Sequence, residues 1–265
     1  MIIDFHTHCF PQKIAAPALA KLSKASGNAE PFHGGGSEDL TKYLSDNGID
    51  KAVVLNIATN PRQQKNVNDF AVSLLGNDRL IPFASVHPDS PEALDELHRI
   101  KEAGIKGIKL HPDYQNFFVD DQRVFPIYEK ISQLGLITVF HAGRDIGVEG
   151  DVHCTPERLK NALPVFGGAP VVAAHMGGWL MWEQVLKKLA GLDLFLDTSF
   201  SYGRMPPYLA RDIIKAHGAQ RILLGSDMPW SATVNEIRFL DSLDLSDNER
   251  ELILGKNAQR LLKIN

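Results

Sequence analysis

Short apolar runs recur along this chain at a spacing that leaves room for a helix after each one. They are Met1–Phe5, Lys51–Leu55, Leu80–Val86, Gly107–Leu110, Leu136–Phe140, Pro170–Ala174, Leu192–Leu196 and Arg221–Leu224. Near-continuous aliphatic and β-branched runs of this length are the pattern of parallel strands covered on both faces. Between them come polar loops and amphipathic stretches, and Gly76, Gly104, Gly135, Gly191 and Gly218 stand where a helix should stop before the next strand. Ser90-Pro91 and Thr155-Pro156 each place a capping hydroxyl before a proline at the first helical position, and Ser246 with Glu249 matches a capping box. Intervals of about 22 to 35 residues after a longer first one suit helical crossovers. The pattern therefore predicts a single α/β domain over residues 1–265, a (β/α)8 barrel. It carries an extended loop after the first strand and an extra C-terminal helix. A doubly wound open sheet is the alternative.

The long first interval holds a weakly helical stretch, about residues 14–26, and then a glycine-rich one, Gly27–Ser37, with His33-Gly34-Gly35-Gly36 inside it. No Lys-Ser or Lys-Thr follows these glycines, so they do not form a nucleotide phosphate loop. They are expected to form a mobile flap over a site, with Ser37 capping a helix that ends near Gly48.

Chemistry gathers where the runs end. The closing residues are His6 and His8, Asn56, His87, Lys109 with His111, His141, His175, Asp197 and Asp227. Six of the ten histidines lie there. In a barrel all strand ends meet on one face, where active sites are built. Period-two alternation puts His6 with His8, and Lys109 with His111, on common faces. It also stacks Ile137, Val139 and His141 on strand five, Val171, Ala173 and His175 on strand six, and Leu223, Gly225 and Asp227 on strand eight. Three imidazoles and a carboxylate suit zinc or another borderline divalent ion.

The His-x-His pair, Phe140-His141-Ala142-Gly143, Ala174-His175-Met176-Gly177-Gly178 and Leu224-Gly225-Ser226-Asp227-Met228-Pro229-Trp230 resemble the metal-dependent amidohydrolase superfamily. The closer resemblance is to its amidohydrolase-2 branch, which includes aminocarboxymuconate-semialdehyde decarboxylase. It spans nearly the whole chain. It implies one divalent ion, expected to be zinc, held by His6, His8, His141 and Asp227, with His175 and Asp227 moving protons. Lys109 occupies the position where dihydroorotase-like members carry a carboxylated lysine, which would bring a second ion. Left uncarboxylated, Lys109 joins His111, Arg144, Trp179 and Trp230 as expected substrate-binding residues. Arg62, Arg144 and Arg204 follow strand ends, and guanidinium forks suit a carboxylate. Metal-dependent hydrolysis of a small carboxylate-bearing molecule is expected first, decarboxylation second and a non-catalytic binding barrel third. The resemblance also suggests a homodimer.

Composition narrows the setting. Apolar and charged fractions of 44% and 23% are those of a globular domain, and the net charge of −4 offers no broad basic field to nucleic acid or an anionic membrane. The first strand starts at once without a leader, and Cys9 and Cys154 form no disulfide framework. A cytoplasmic enzyme is expected, with Cys9 as a small buried residue.

Overall fold

The computed structural model describes residues 1–264. Its strands are β1 (Ile3–Thr7), β2 (Lys51–Leu55), β3 (Leu80–Phe83), β4 (Gly107–Leu110), β5 (Ile137–Phe140), β6 (Val171–Ala173), β7 (Phe195–Asp197) and β8 (Ile222–Leu223). All pair in parallel in sequence order, as β1-β2-β3 and β4-β5-β6-β7-β8. Two seams close the ring. Ala84 N donates to Gly107 O at 3.0 Å and Lys109 N to Ala84 O at 2.8 Å. At the other seam Phe5 N donates to Leu224 O at 2.7 Å and Asp227 N to His6 O at 2.8 Å. The barrel expected from the sequence is the observed architecture, and no helix among the described residues is long and apolar enough to cross a membrane.

Helices α1 (Gln12–Ala25) and α2 (Ser37–Asp46) fill the long first interval, and α3 (Gln64–Ser73) follows β2. The expected caps hold at Thr155, whose side chain accepts from Arg158 N, and at Ser246 with Glu249. Two differ. The helix after Ser90-Pro91 begins only at Ala93, after a turn in which Ser90 O accepts from Ala93 N. Ser37 is the first residue of α2 rather than its cap, and Asp39 satisfies the preceding Gly36 N–H at 3.0 Å.

The lumen is filled by Ile3, Phe5, Val53, Leu55, Phe83, Ile137, Val139, Val172 and Leu223. Gly107 makes room for Phe83, whose ring lies 2.3 Å from where a Cβ would stand. The residues of β6 correct the sequence reading. Val172 faces the lumen, whereas Val171 and Ala173 pack outward against helices. Below the barrel, Ala258 and Leu262 of α11 (Asn257–Leu262) close the floor. Lys106 Nζ donates to Leu262 O at 2.7 Å, and Asn257 Nδ2 to Ala219 O and Ile222 O at 2.7 Å each. Leu262→Ala should therefore destabilise the fold by about 2–5 kcal/mol, read from the denaturation midpoint. An unchanged midpoint would mean that the lumen packs without this helix.

Candidate active site

The histidines reach the lumen through local breaks in strand geometry. Strict alternation along β1 would send His6 outward, because Ile3 and Phe5 already face inward. The register with β2 advances from Asp4↔Ala52 to Thr7↔Val54, a β-bulge that turns His6 and His8 together into the barrel mouth. Asp4 fixes that bulge from behind: it accepts from His6 N at 3.1 Å, Ser226 N at 3.0 Å and Thr233 Oγ1 at 2.6 Å. His175 follows an outward-facing Ala173 and enters the site because His175 and Met176 take left-handed φ values of 59° and 54°. Asp227 does the same at φ 72°. A non-glycine residue in this region costs of order 1 kcal/mol or more, a strain typical of functional sites.

Hydrogen bonding assigns the imidazole tautomers. His6 Nδ1 lies 2.9 Å from Asp197 Oδ2. Burial would raise the Asp197 carboxyl, but the facing His6 outweighs it and holds the group below the usual range, so it only accepts. His8 Nδ1 donates to the Leu55 carbonyl at 2.8 Å. Both Nε2 atoms are then bare lone pairs, and both face Asp227 Oδ1, at 3.3 and 3.2 Å. Burial lowers His6 to about 3, so its imidazole stays neutral. Two lone pairs aimed at a carboxylate oxygen repel unless a cation lies among them. The donor set of His6, His8 and Asp227 fits a divalent metal ion.

His175 is placed beside this triad. Its Nδ1 donates toward Ser199, whose carbonyl lies at 3.2 Å and whose hydroxyl is turned to Asp197. Its Nε2 is thereby a proton acceptor, 3.1 Å from His141 Nδ1. The expected quartet is assembled only in part: His141 Nε2 faces the Arg144 carbonyl at 3.3 Å and Asp145 at 3.8 Å rather than Asp227. His111, His141 and Asp145 form a second cluster of donors. There His111 Nδ1 accepts from Tyr114 N at 3.3 Å, so its Nε2–H donates to Asp145 Oδ2 at 3.2 Å and leaves no lone pair for a metal.

A cavity of about 550 Å3 opens over these groups and is lined by Lys109, His111, Arg144, Trp179 and Trp230, together with Tyr114, Asp145 and Phe200. Lys109 Nζ is buried and has no hydrogen-bond partner among the described residues. Burial lowers it to about 8, against the pull of Asp197 and Asp227. Of the three loop arginines only Arg144 reaches the cavity; Arg62 is exposed, and Arg204 lies 3.6 Å over the Phe200 ring. His87 lies outside it, its Nδ1 accepting from Asp89 N. Cys9 is buried at the cavity wall, and burial pushes its thiol up to about 12. Of the expected flap Gly27–Ser37, Gly35 and Gly36 are buried and pinned, Gly35 O accepting from Phe10 N at 2.8 Å, while residues 27–34 are mostly exposed; α1 contributes to the cavity wall.

A family model described as amidohydrolase matches residues 3–264. The chain belongs to that family. It is thus a metal-dependent enzyme of the amidohydrolase superfamily, and its donors accord with a divalent ion. A 2-keto-4-carboxy-3-hexenedioate hydratase of Sphingobium sp. strain SYK-6 is 26% identical over 221 residues. The matched region covers 66% of this chain and 63% of that protein, less than two thirds of its length. An uncharacterized TIM-barrel protein from Bordetella bronchiseptica superposes with a TM-score of 0.77 at 20% identity, covering 99% of this chain and 98% of that one. A dihydroxybenzoic acid decarboxylase from Polaromonas sp. JS666, with bound manganese and 2-nitroresorcinol, superposes at 0.70 and 16% identity, covering 99% and 96%.

Asp197, Ser199, Asp145, Tyr114 and Asp4 complete this amidohydrolase site beyond the expected residues. Asp197 carried a signal, closing an apolar run as His6 and Asp227 do; Asp4 lies within β1, and Ser199, Asp145 and Tyr114 stand in loops whose turns no spacing announces. Glu236 of α9 (Thr233–Asp241) buckles the loops after β7 and β8, accepting from Ser201 N at 3.2 Å, Tyr202 N at 3.0 Å and Ser231 Oγ at 2.8 Å. Burial raises its carboxyl from 4.5 to about 8. Between those values the folded group keeps a proton that the unfolded chain has released, so its contribution to stability falls as pH rises through the window. Glu236→Gln should flatten the decline, as compared by denaturation midpoints at acidic and alkaline pH; an unchanged slope would place the titration elsewhere. Asp197→Asn, which weakens the acceptor that orients His6, should lower metal affinity about 10- to 100-fold in chelator competition.

Proposed function

We propose that this protein is a metal-dependent decarboxylase of a small carboxylic acid. The observation that carries the reading is the juxtaposition of two bare imidazole lone pairs, a carboxylate and an unpartnered buried ammonium at the floor of one cavity. His6, His8 and Asp227 would hold one ion; His141, the fourth ligand that the family resemblance implies, is turned to the Arg144 carbonyl and His175 and stands outside that donor set. Zinc suits this set, and the manganese of the Polaromonas decarboxylase makes it the other metal to assay. When bound, the ion supplies a Lewis acid that orients an anionic substrate and stabilises charge. The committed lone pair of His111 argues against a second ion, and Lys109 in its uncarboxylated form is the anchor for the substrate carboxylate.

His175 moves the proton. Its Nδ1–H is fixed by Ser199, so Nε2 collects a proton and delivers it to the carbon that bears the carboxylate. A π pair of the unsaturated substrate forms the new carbon–hydrogen bond; the carbon–carbon bond to the carboxylate then breaks, and its electron pair restores the π bond as carbon dioxide leaves. Arg144 at the mouth and Trp179 and Trp230 on the walls position the substrate. Hydrolysis, placed first by the sequence, has the same residues available. The Sphingobium hydratase and the Polaromonas decarboxylase, neither a hydrolase, favour lyase chemistry. A cytoplasmic location is supported by the two buried free cysteines, and a homodimer rests on the family resemblance alone.

The test is carbon dioxide evolution from a panel of hydroxybenzoates and unsaturated dicarboxylates by zinc- and manganese-loaded enzyme. Hydrolysis of lactones or amides without carbon dioxide release would overturn the proposal. His175→Asn should lower kcat about 10²- to 10⁴-fold while leaving metal content at one ion per chain, as elemental analysis would read.

A further inference from the structure

The cavity is larger than its polar floor requires. Its volume of about 550 Å3 lies in the range of ~300–1,000 Å3 that takes drug-sized ligands. It extends from the metal triad along Leu55, whose carbonyl holds His8, to a space between α1 and α3. There α1 presents Ile14, Ala18 and Leu22, four residues apart and so on one stripe. Val67 and Phe70 of α3 line the same space.

The stripe is not what anchors α1. That task falls to Ala15 and Leu19, the buried residues of the helix, with Leu19 Cδ1 only 2.7 Å from where a Cβ on Gly35 would stand. Ile14 is 50% exposed, and Leu22, Val67 and Phe70 are half-buried. Leaving such a surface wet forgoes the free energy of burying it, about 25 cal/mol per Å2. The stripe runs about 12 Å along the helix. The groups of the metal floor, His6, His8, Asp227 and Lys109, lie at the other end of the cavity, while Lys21 of α1 and Asn66 of α3 are polar residues that line this side.

We propose that the α1–α3 space is a subsite for an apolar arm of the substrate, so that the natural substrate is an amphiphilic carboxylic acid and not a bare single-ring one. The head binds at the metal floor and Lys109, and an alkyl or aryl arm lies against Ile14, Ala18, Leu22, Val67 and Phe70. This inference rests on the proposed reading of the floor as a carboxylate site.

Calorimetric titration of metal-loaded protein with benzoate and 4-alkylbenzoates up to 4-octylbenzoate tests it, with 4-alkylphenols as a parallel series lacking the carboxylate. The expected result is a Kd that tightens about fourfold per methylene until the arm is full. Ala18→Trp and Val67→Trp, each checked for retained metal content, should flatten the series. A Kd independent of chain length in unaltered protein, with benzoate still bound, overturns the arm subsite and leaves the carboxylate reading standing. Phenols that tighten with chain length while no benzoate binds would keep the subsite but overturn the carboxylate floor, and with it the amphiphilic acid. Series that keep their full slope in both tryptophan variants place the arm elsewhere and overturn the assignment.

Discussion

The hydrogen bond from His6 Nδ1 to the buried carboxylate of Asp197 organises the active face of this barrel. By holding the proton on Nδ1 it makes Nε2 a bare lone pair, and only a bare lone pair can serve as a ligand. The same carboxylate accepts from His175 N at 3.0 Å and from Ser199 N at 3.0 Å, and Ser199 in turn fixes the tautomer of His175. One acceptor thus sets the protonation pattern of His6 directly and of His175 through Ser199, while the Leu55 carbonyl sets that of His8. Gly225 permits this convergence: a Cβ there would stand 3.0 Å from His6 Cβ and 3.2 Å from Asp197 Cβ.

A uniform parallel barrel cannot deliver this arrangement, because period-two strands alternate between lumen and helix layer. The bulge in β1 and the left-handed residues at His175 and Asp227 spend stability to re-aim side chains at the mouth. The rest of the fold supports them. Asp4 ties the bulge to Ser226 and Thr233, Glu236 ties the loops after β7 and β8, and α11 packs the floor, so the distortions sit on a rigid frame. Lys109 shows how the lumen treats charge. It feels the charges of Asp197, Asp227 and Asp145 yet is hydrogen-bonded to no described residue, and burial lowers its ammonium to about 8.

The first interval supplies a wall of the cavity through α1. Its helix faces the protein with Ala15 and Leu19 and the cavity with Ile14, Ala18 and Leu22, two stripes on one short element. The clustered histidines and carboxylates come from strand ends, whose positions the barrel dictates. The walls come from inserted helices, which can change without disturbing it.

Taken alone, the sequence determined the eight strands, their parallel order, the extra terminal helix, and the gathering of His6, His8, Lys109, His111, His141, His175, Asp197 and Asp227 at one end. Those features are local: apolar runs, stopping glycines and the polar residue closing each run are written in consecutive positions. Only the tertiary structure decided which face β6 turns inward, that His175 arrives by a backbone reversal, that Asp197 orients His6, and that Gly35 and Gly36 are packed while α1 lines the cavity. These depend on contacts between residues as far apart as His6 and Asp197, 191 positions along the chain. A side chain's spacing tells which strand end it occupies, but its tautomer, its partner and its aim are fixed by atoms that only barrel closure brings within hydrogen-bonding distance.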